Sequence, residues 1–338
     1  DRAILEGGVN LIDTAEQYPI PSDDIFPEGL SEEVIGRWMK DGGADRRSKV
    51  VLATKITGGR RITKKSIVSA CEDSLKRLQT DYIDVYQLHW PARYTPQSNW
   101  GQSLQYRRER EGSGGTPIEA QCEAMETLIK AGKIRGWGMC NDNAYGITVA
   151  SQTAKRLGTT PPVVMQGDFS MINRRVEENG VTEASSPIHE NVGFFGYNIL
   201  AGGFLTGKYM EGPPPAYDDA RGNLQRAIQT AQQPRGRHDA MGWGQTLYRY
   251  RSYAAEDAVK RYAALAKKYK MSLTELAIRW AKDRPGLTMT SALLGSSSLA
   301  QLEQSLSFYR KNEKLPPSLM QEIDAVHMRN RLPIFSEG

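Results

Sequence analysis

Ile83-Asp84-Val85-Tyr86-Gln87-Leu88-His89 is a mainly apolar run that stops at an imidazole, and two earlier runs end on chemistry in the same way. Val9-Asn10-Leu11-Ile12 leads to Asp13 and then Tyr18, and Val50-Val51-Leu52-Ala53-Thr54 leads to Lys55. Short apolar runs that close on reactive side chains read as strands whose C-terminal ends carry function. An α/β barrel assembles its active site from such ends.

Each group acts on the next. A free tyrosine, with a pKa of about 10, is a sluggish acid or base at neutral pH. A neighbouring lysine cation favours the phenolate, and a carboxylate paired with that lysine holds it in place and charged. A histidine within hydrogen-bond reach orients a carbonyl or shares the proton. Singly, Asp13 is explained as a turn or cap residue, Lys55 as a surface charge and His89 as a core side chain. At three successive strand ends, Asp13, Tyr18, Lys55 and His89 together read as a proton-delivery set with Tyr18 as the acid.

Beyond these runs, strand-like and helix-like segments alternate, the pattern of parallel βαβ units. Further strands are expected around Arg135 to Cys140, Val163 to Gly167, Gly193 to Ile199 and Met289 to Leu294. Apolar spacing and cap residues predict helices from Ser31 to Met39, Thr63 to Leu75, Ile118 to Ala131, Ala144 to Leu157, Ala254 to Tyr269, Leu273 to Asp283 and Leu299 to Phe308. The expectation is one (β/α)8 TIM barrel domain over residues 1–338 that lacks its first strand. Seven strands are read, and Asp1 to Gly8 looks like the last turns of a helix, so the chain is expected to be truncated at its N-terminus. Two long irregular segments, 92–116 and 211–250, are rich in Gly, Pro, Gln, Arg and Tyr and read either as lids over a substrate pocket or as insertions with no substrate contact.

Composition narrows the class. With 338 residues and 39% hydrophobic content the chain can bury a sizeable core. No apolar run reaches the roughly 18 residues of a membrane span, and no signal-peptide pattern opens the chain. Three scattered cysteines, Cys71, Cys122 and Cys140, give no disulfide framework and point to a reducing compartment, so a cytoplasmic location is expected, or an organelle if a targeting segment precedes Asp1. The net charge of +5 is modest and its basic clusters carry no nucleic-acid motif, so neither nucleic acid nor membrane is expected as a partner. No metal-ligand spacing is present, and no metal is expected.

A cofactor is suggested by glycine and serine. No G-x-G-x-x-G follows a strand, which argues against a Rossmann fold. Gly202-Gly203-Phe204-Leu205-Thr206-Gly207-Lys208-Tyr209 resembles a P-loop until Tyr209, where a Mg²⁺-binding hydroxyl is needed, so a nucleotide triphosphatase is excluded. Such a turn with its lysine still suits a pyrophosphate. Ser296-Ser297-Ser298 opens a helix, a second natural phosphate-binding position.

Gly8 to Tyr18, Leu52-Ala53-Thr54-Lys55, Asp81 to Pro91 with its Leu88-His89-Trp90-Pro91, Gly132 to Asn141, Tyr197 to Tyr209 and Leu294 to Leu302 together resemble the aldo-keto reductase family, and most closely its bacterial-type NADPH-dependent members. The resemblance implies an oxidoreductase that reduces aldehydes or ketones to alcohols with NADPH. Tyr18 is then the acid tuned by Lys55 and Asp13, His89 positions the carbonyl, and Trp90 walls the substrate pocket. It implies further that Asn141 and Gln166 hold the nicotinamide carboxamide, with Cys140 where many members have Ser, and that Tyr197 stacks on the ring. Asn198, Leu200, Gly202, Thr206 and Lys208 match the pyrophosphate loop. Ser296, Ser297, Gln301 and Gln304 match the adenosine end, and Arg221 the 2′-phosphate. Two alternatives accompany this reading: a nicotinamide-binding regulatory subunit of the potassium-channel beta type, whose members generally lack a histidine at the place of His89, and an inactive truncated barrel.

Overall fold

Every residue of the strand Ile83–Leu88, β3, is buried, and in Val51–Ile56, β2, only Val51 reaches the surface. Strands covered on both faces belong to a parallel sheet flanked by helices, which is why these segments read as nearly continuous apolar runs. The computed structural model describes residues 1–60, 62–96, 106–112, 115–210, 236, 250, 252–284 and 289–335. Among them, seven strands hydrogen-bond side by side in chain order. The others are β1 (Leu11–Asp13), β4 (Ile134–Cys140), β5 (Val164–Asp168), β6 (Gly193–Tyr197) and β7 (Met289–Ala292). The ladders from β1 through β5 are parallel. Sequential parallel strands with helices between them form the topology of a (β/α)8 TIM barrel, as expected, with seven strands present among the described residues.

The helices are α1 (Leu30–Asp41), α2 (Gly43–Ser48), α3 (Lys64–Leu78), α4 (Ile118–Lys130), α5 (Ala144–Leu157), α6 (Arg175–Glu178), α7 (Val181–Ser185), α8 (Tyr253–Lys268), α9 (Leu273–Asp283), α10 (Leu299–Tyr309) and α11 (Pro317–Arg329). Side-chain caps fix several starts: Thr63 and Ser66 form a reciprocal box at α3, Asn143 caps α5, and Ser252, Ser272 and Ser298 cap α8, α9 and α10. Helix α1 departs from expectation at its start, where left-handed Gly29 (φ 86°) rather than Ser31 is the boundary. Four helices were not expected. α2, α6 and α7 are too short to show an apolar stripe, whereas α11 has one, with Leu319, Ile323 and His327 buried four residues apart behind Pro317. Asp1 to Gly8 holds one short helical turn, Arg2–Glu6.

The chain falls into two compact units. One comprises Asp1–Gly167, Asn179–Phe195 and Leu287–Ser291, and the other Asp168–Glu178, Gly196–Gly286 and Ala292–Gly338. In the first, a side chain's place along its strand decides which layer it meets, because successive residues face opposite sides of the sheet. Thr54, Asp84 and Tyr86 share one face. Asp84 accepts from Arg47 Nη2 (2.8 Å), Arg135 Nη1 (2.9 Å) and the Leu52 backbone N–H (2.9 Å), tying α2, β2, β3 and β4 together. Glu32 of α1 has no solvent exposure and accepts from Thr54 Oγ1 (2.6 Å) and Arg77 Nε (2.7 Å). The second unit is anchored by Arg174, which donates to Asp324 (2.5 Å), while Arg284 joins Glu177 (2.6 Å) to the same Asp324 (3.0 Å).

Removing one member of a buried charge pair leaves the other uncompensated. Glu32→Ala is therefore expected to lower the unfolding free energy by about 3 kcal/mol, and Glu32→Gln by less, in urea titrations followed by circular dichroism. An alanine variant as stable as the parent would show that the α1–β2–α3 contact does not depend on this carboxylate.

Candidate active site

The other face of the sheet in the first unit carries a different population. Partners across a parallel ladder share a face, and the register links Asp13 with Ala53, Lys55 with Gln87, Gln87 with Gly138, and Cys140 with Gln166. Period two then puts Asp13, Lys55, Gln87, Cys140 and Gln166 on one side, with His89 following in step after Gln87. Gly138 makes room there, because a Cβ would come within 2.5 Å of Val164 and 3.4 Å of Gln87 Cγ. The polar side chains of this face thus form a group separate from Thr54 and Asp84 on the other.

Their hydrogen bonds form one network. Lys55, with no solvent exposure, donates to Asp13 Oδ2 (2.6 Å) and to the Thr14 carbonyl (2.7 Å). Asp13 Oδ1 accepts from Gln166 Nε2 (2.9 Å) and Gln87 Nε2 (3.3 Å), and Gln166 Oε1 accepts from the Cys140 thiol at 3.6 Å. Tyr18 leans over this group, its ring centroid 5.3 Å from Lys55 Nζ. His89 meets the Tyr18 ring edge-on at 5.7 Å and is stacked by Trp90 at 5.8 Å. Gln17 Nε2 lies 3.1 Å from His89 Nδ1, and Asn141 Nδ2 donates to the His89 carbonyl at 3.1 Å. The sequence-predicted Asp13, Tyr18, Lys55, His89, Trp90, Cys140, Asn141 and Gln166 therefore come together. Gln17 and Gln87 join them without having been singled out. The available signal for Gln87 was a lone amide inside an apolar run, two residues before His89 and so on its face.

Burial decides the ionisation states. It opposes the Lys55 charge, yet the Asp13 carboxylate, by its charge and its hydrogen bond, holds the ammonium above its ordinary value. For Tyr18 the balance reverses part of the sequence expectation: Lys55 does lower the phenol pKa, but burial raises it more, and Asp13 adds to the rise. Tyr18 is a neutral phenol that can give up a proton. Burial, and then Lys55, push His89 well below 6.5, so its imidazole is neutral at physiological pH. Cys140 is likewise pushed far above the usual thiol range by burial and stays a thiol.

Beside Trp90 a cavity of about 260 Å³ opens, lined by Gly59, Arg60, Pro91, Arg93, Tyr94 and Arg110 as well as the indole. Part of the 92–116 loop forms its wall: Tyr94 packs on Tyr106 at 5.3 Å, and Arg110 lies 4.7 Å above the Tyr94 ring. Of the loop 211–250 only Gly236 and Tyr250 lie within the described residues, and Arg221 lies outside them.

The second unit holds the remaining candidates in two local groups. Tyr197 ends β6, and Asn198 to Lys208 follow as a tight glycine-rich turn in which Asn198, Ala201, Gly202, Gly203 and Gly207 all have positive φ. Gly203 (φ 99°) adopts a backbone conformation that favours glycine, with Lys208 Cε close beside it. Thr206 Oγ1 closes the turn on the Gly203 carbonyl (2.7 Å), and Asn198 Nδ2 donates to Tyr250, whose hydroxyl donates to Asp168 (2.5 Å). Leu200 lies within this turn. Ser296 and Ser297 are exposed just before α10, where Gln301 Oε1 accepts from both the backbone N–H and the hydroxyl of Ser297 (2.9 Å each), and Gln304 is exposed one turn on. No helix among the described residues is long and apolar enough to cross a membrane. No group of three or more His, Cys, Asp or Glu among them is arranged to hold a metal ion.

An aldo-keto reductase of Babesia bovis is 32% identical over 302 residues, which span 85% of this chain and 99% of that protein. The human aflatoxin B1 aldehyde reductase member 2 is 31% identical over 90% of this chain and 75% of its own length. A probable voltage-gated potassium channel subunit beta of rice is 28% identical over 96% and 85%. The model of the Aldo/keto reductase family matches residues 1–327, which establishes that the chain belongs to the aldo/keto reductase family.

Proposed function

We propose that this protein reduces aldehydes or ketones to alcohols with NADPH, Tyr18 delivering the proton. The observation that carries the reading is the fully buried Lys55 ammonium, 2.6 Å from Asp13 and 5.3 Å from the Tyr18 ring. A cation kept in a dry site beside a neutral phenol is suited to stabilising the phenolate left once the proton has gone. Asp13 keeps Lys55 charged and fixed, and the amides of Gln87 and Gln166 keep Asp13 in place. His89, neutral and clamped between Tyr18 and Trp90, holds a carbonyl oxygen by hydrogen bonding so that the Tyr18 hydroxyl can protonate it as negative charge develops.

A bound dihydronicotinamide supplies the hydride. Residues of the first unit that suit its carboxamide are Asn141 and Gln166, with the Cys140 thiol as a weaker donor than the hydroxyl of many relatives. In the second unit Tyr197 offers a stacking face. Asn198, Leu200, Gly202, Thr206 and Lys208 suit a pyrophosphate: the left-handed glycines leave the backbone uncovered beside an exposed lysine, the chemistry that cradles phosphate oxygens. Ser296, Ser297, Gln301 and Gln304 are assigned to the adenosine end and Arg221 to the 2′-phosphate, the basis for NADPH over NADH. Trp90 and the cavity beside it serve as substrate wall, with Arg93, Tyr94 and Arg110 of the segment 92–116 at its edge.

With Tyr18→Phe, NADPH oxidation on a panel of aromatic and aliphatic aldehydes is expected to fall by about 10²- to 10⁴-fold while NADPH affinity is unchanged. Equal turnover in parent and variant would remove Tyr18 from the reaction. NADPH binding with no turnover by the parent would instead favour a nicotinamide-binding subunit of the kind the rice relative is named for.

The pH profile gives an independent check. The reaction needs His89 neutral, a form present above its pKa, and Tyr18 protonated, a form present below its pKa. The first pKa is depressed below 6.5 and the second raised above 10.0, so kcat/KM is expected to stay level from about pH 6.5 to 10. An inflection near pH 7 would mean that one of the two environments is wrongly assigned.

A further inference from the structure

The imidazole of His89 must present a definite nitrogen to a carbonyl, and its environment determines which. The residue is 5% exposed: Trp90 stacks on the ring, the Tyr18 ring stands nearly perpendicular to it, and Asn141 holds the backbone carbonyl. Its Nδ1 lies 3.1 Å from Gln17 Nε2, and no hydrogen bond to Nε2 occurs among the described residues. An amide nitrogen has two donor hydrogens and no acceptor capacity, whereas a neutral imidazole has one donor and one acceptor nitrogen. The Gln17 amide can satisfy only an acceptor, so the ring proton is left on the other nitrogen.

We infer that Gln17 is a positioning residue that locks His89 as the Nε2–H tautomer, turning its single donor toward a substrate carbonyl. This rests on the carbonyl-reducing role proposed for His89. Gln17 adjoins Tyr18, so the acid and the residue that orients its partner ride on one short turn. Thr57 N–H donates to Glu16 (2.6 Å) and Glu16 N–H to the Lys55 carbonyl (3.1 Å), which bind that turn to the end of β2. The lock involves no proton transfer. It sets which of two neutral forms is populated, as an outer-layer hydrogen bond sets the tautomer of a ligating or catalytic histidine.

The test replaces the donor by an acceptor of the same shape. In Gln17→Glu at pH 8 the introduced carboxylate accepts a hydrogen bond from a protonated Nδ1 and so reverses the tautomer, while Gln17→Met removes the interaction and keeps the bulk. Long-range ¹H–¹⁵N correlation spectra of the His89 ring read the tautomer directly. The parent is expected to show a protonated Nε2 and an unprotonated Nδ1, Gln17→Met a weaker preference, and Gln17→Glu a protonated Nδ1. Turnover with aldehydes in Gln17→Glu should fall by about tenfold or more, with NADPH affinity unchanged, the loss of one hydrogen bond to the reacting oxygen. A parent with protonated Nδ1, or a Gln17→Glu protein with the parent's tautomer, would overturn the inference. If the tautomer shifts as expected but the parent reduces no carbonyl, the lock stands and the reductase reading fails.

Discussion

A lysine ammonium without solvent exposure requires a counter-charge, and the first unit is organised around supplying one to Lys55. Leaving such a group unpaired costs several kcal/mol, so Asp13 must sit at the end of the neighbouring strand with its carboxylate turned to Nζ. Two lone pairs on Oδ2 and two on Oδ1 then need partners of their own. Lys55 takes one side, and the amides of Gln87 and Gln166 take the other. The need to satisfy one cation thus propagates across β1, β2, β3 and β5, and it dictates amides rather than further carboxylates, which would repel Asp13 in a dry site.

The same strands solve a second electrostatic problem on their opposite face without interference. Thr54 and Lys55 are adjacent in sequence, yet one bonds to Glu32 of α1 and the other to Asp13 of β1. The period of two in an extended chain separates structural charge, which joins helices to sheet, from chemical charge. A shift of register by one residue would exchange the two sets, placing Lys55 against Glu32 and Arg77 and leaving Asp13 facing a threonine. The register is therefore as much a part of the site as the residues are.

Neutral groups complete the design. Tyr18 and His89 both stay uncharged because burial outweighs or joins the influence of Lys55, which acts in opposite senses on ordinary intuition: it assists the phenol in ionising and prevents the imidazole from protonating. One cation therefore favours the Tyr18 phenolate while keeping the neighbouring imidazole neutral. Reliance on a single Lys55–Asp13 pair accords with surrounding polar atoms that are amides, a thiol and a hydroxyl.

Local pattern determined the strands, the principal helices and the reactive residues at strand ends, because apolar runs, caps and glycine turns are written over a few residues at a time. Asp13, Lys55 and His89 were legible for that reason, and so were the turn at Gly202 and the serine-opened α10. α2, α6 and α7 were not, since helices of one turn or so carry no stripe. Gln87 was hidden inside an apolar run, and Gln17 beside a more conspicuous tyrosine. Which charges meet was decided only by the tertiary structure: Asp13 bonds to a lysine 42 residues away and to Gln166, 153 residues away. Sequence distance says nothing about such contacts; strand order and register do. Burial was equally out of reach, and it is what reverses the expected direction for Tyr18, because the dielectric around a phenol depends on every element packed against it rather than on the lysine alone.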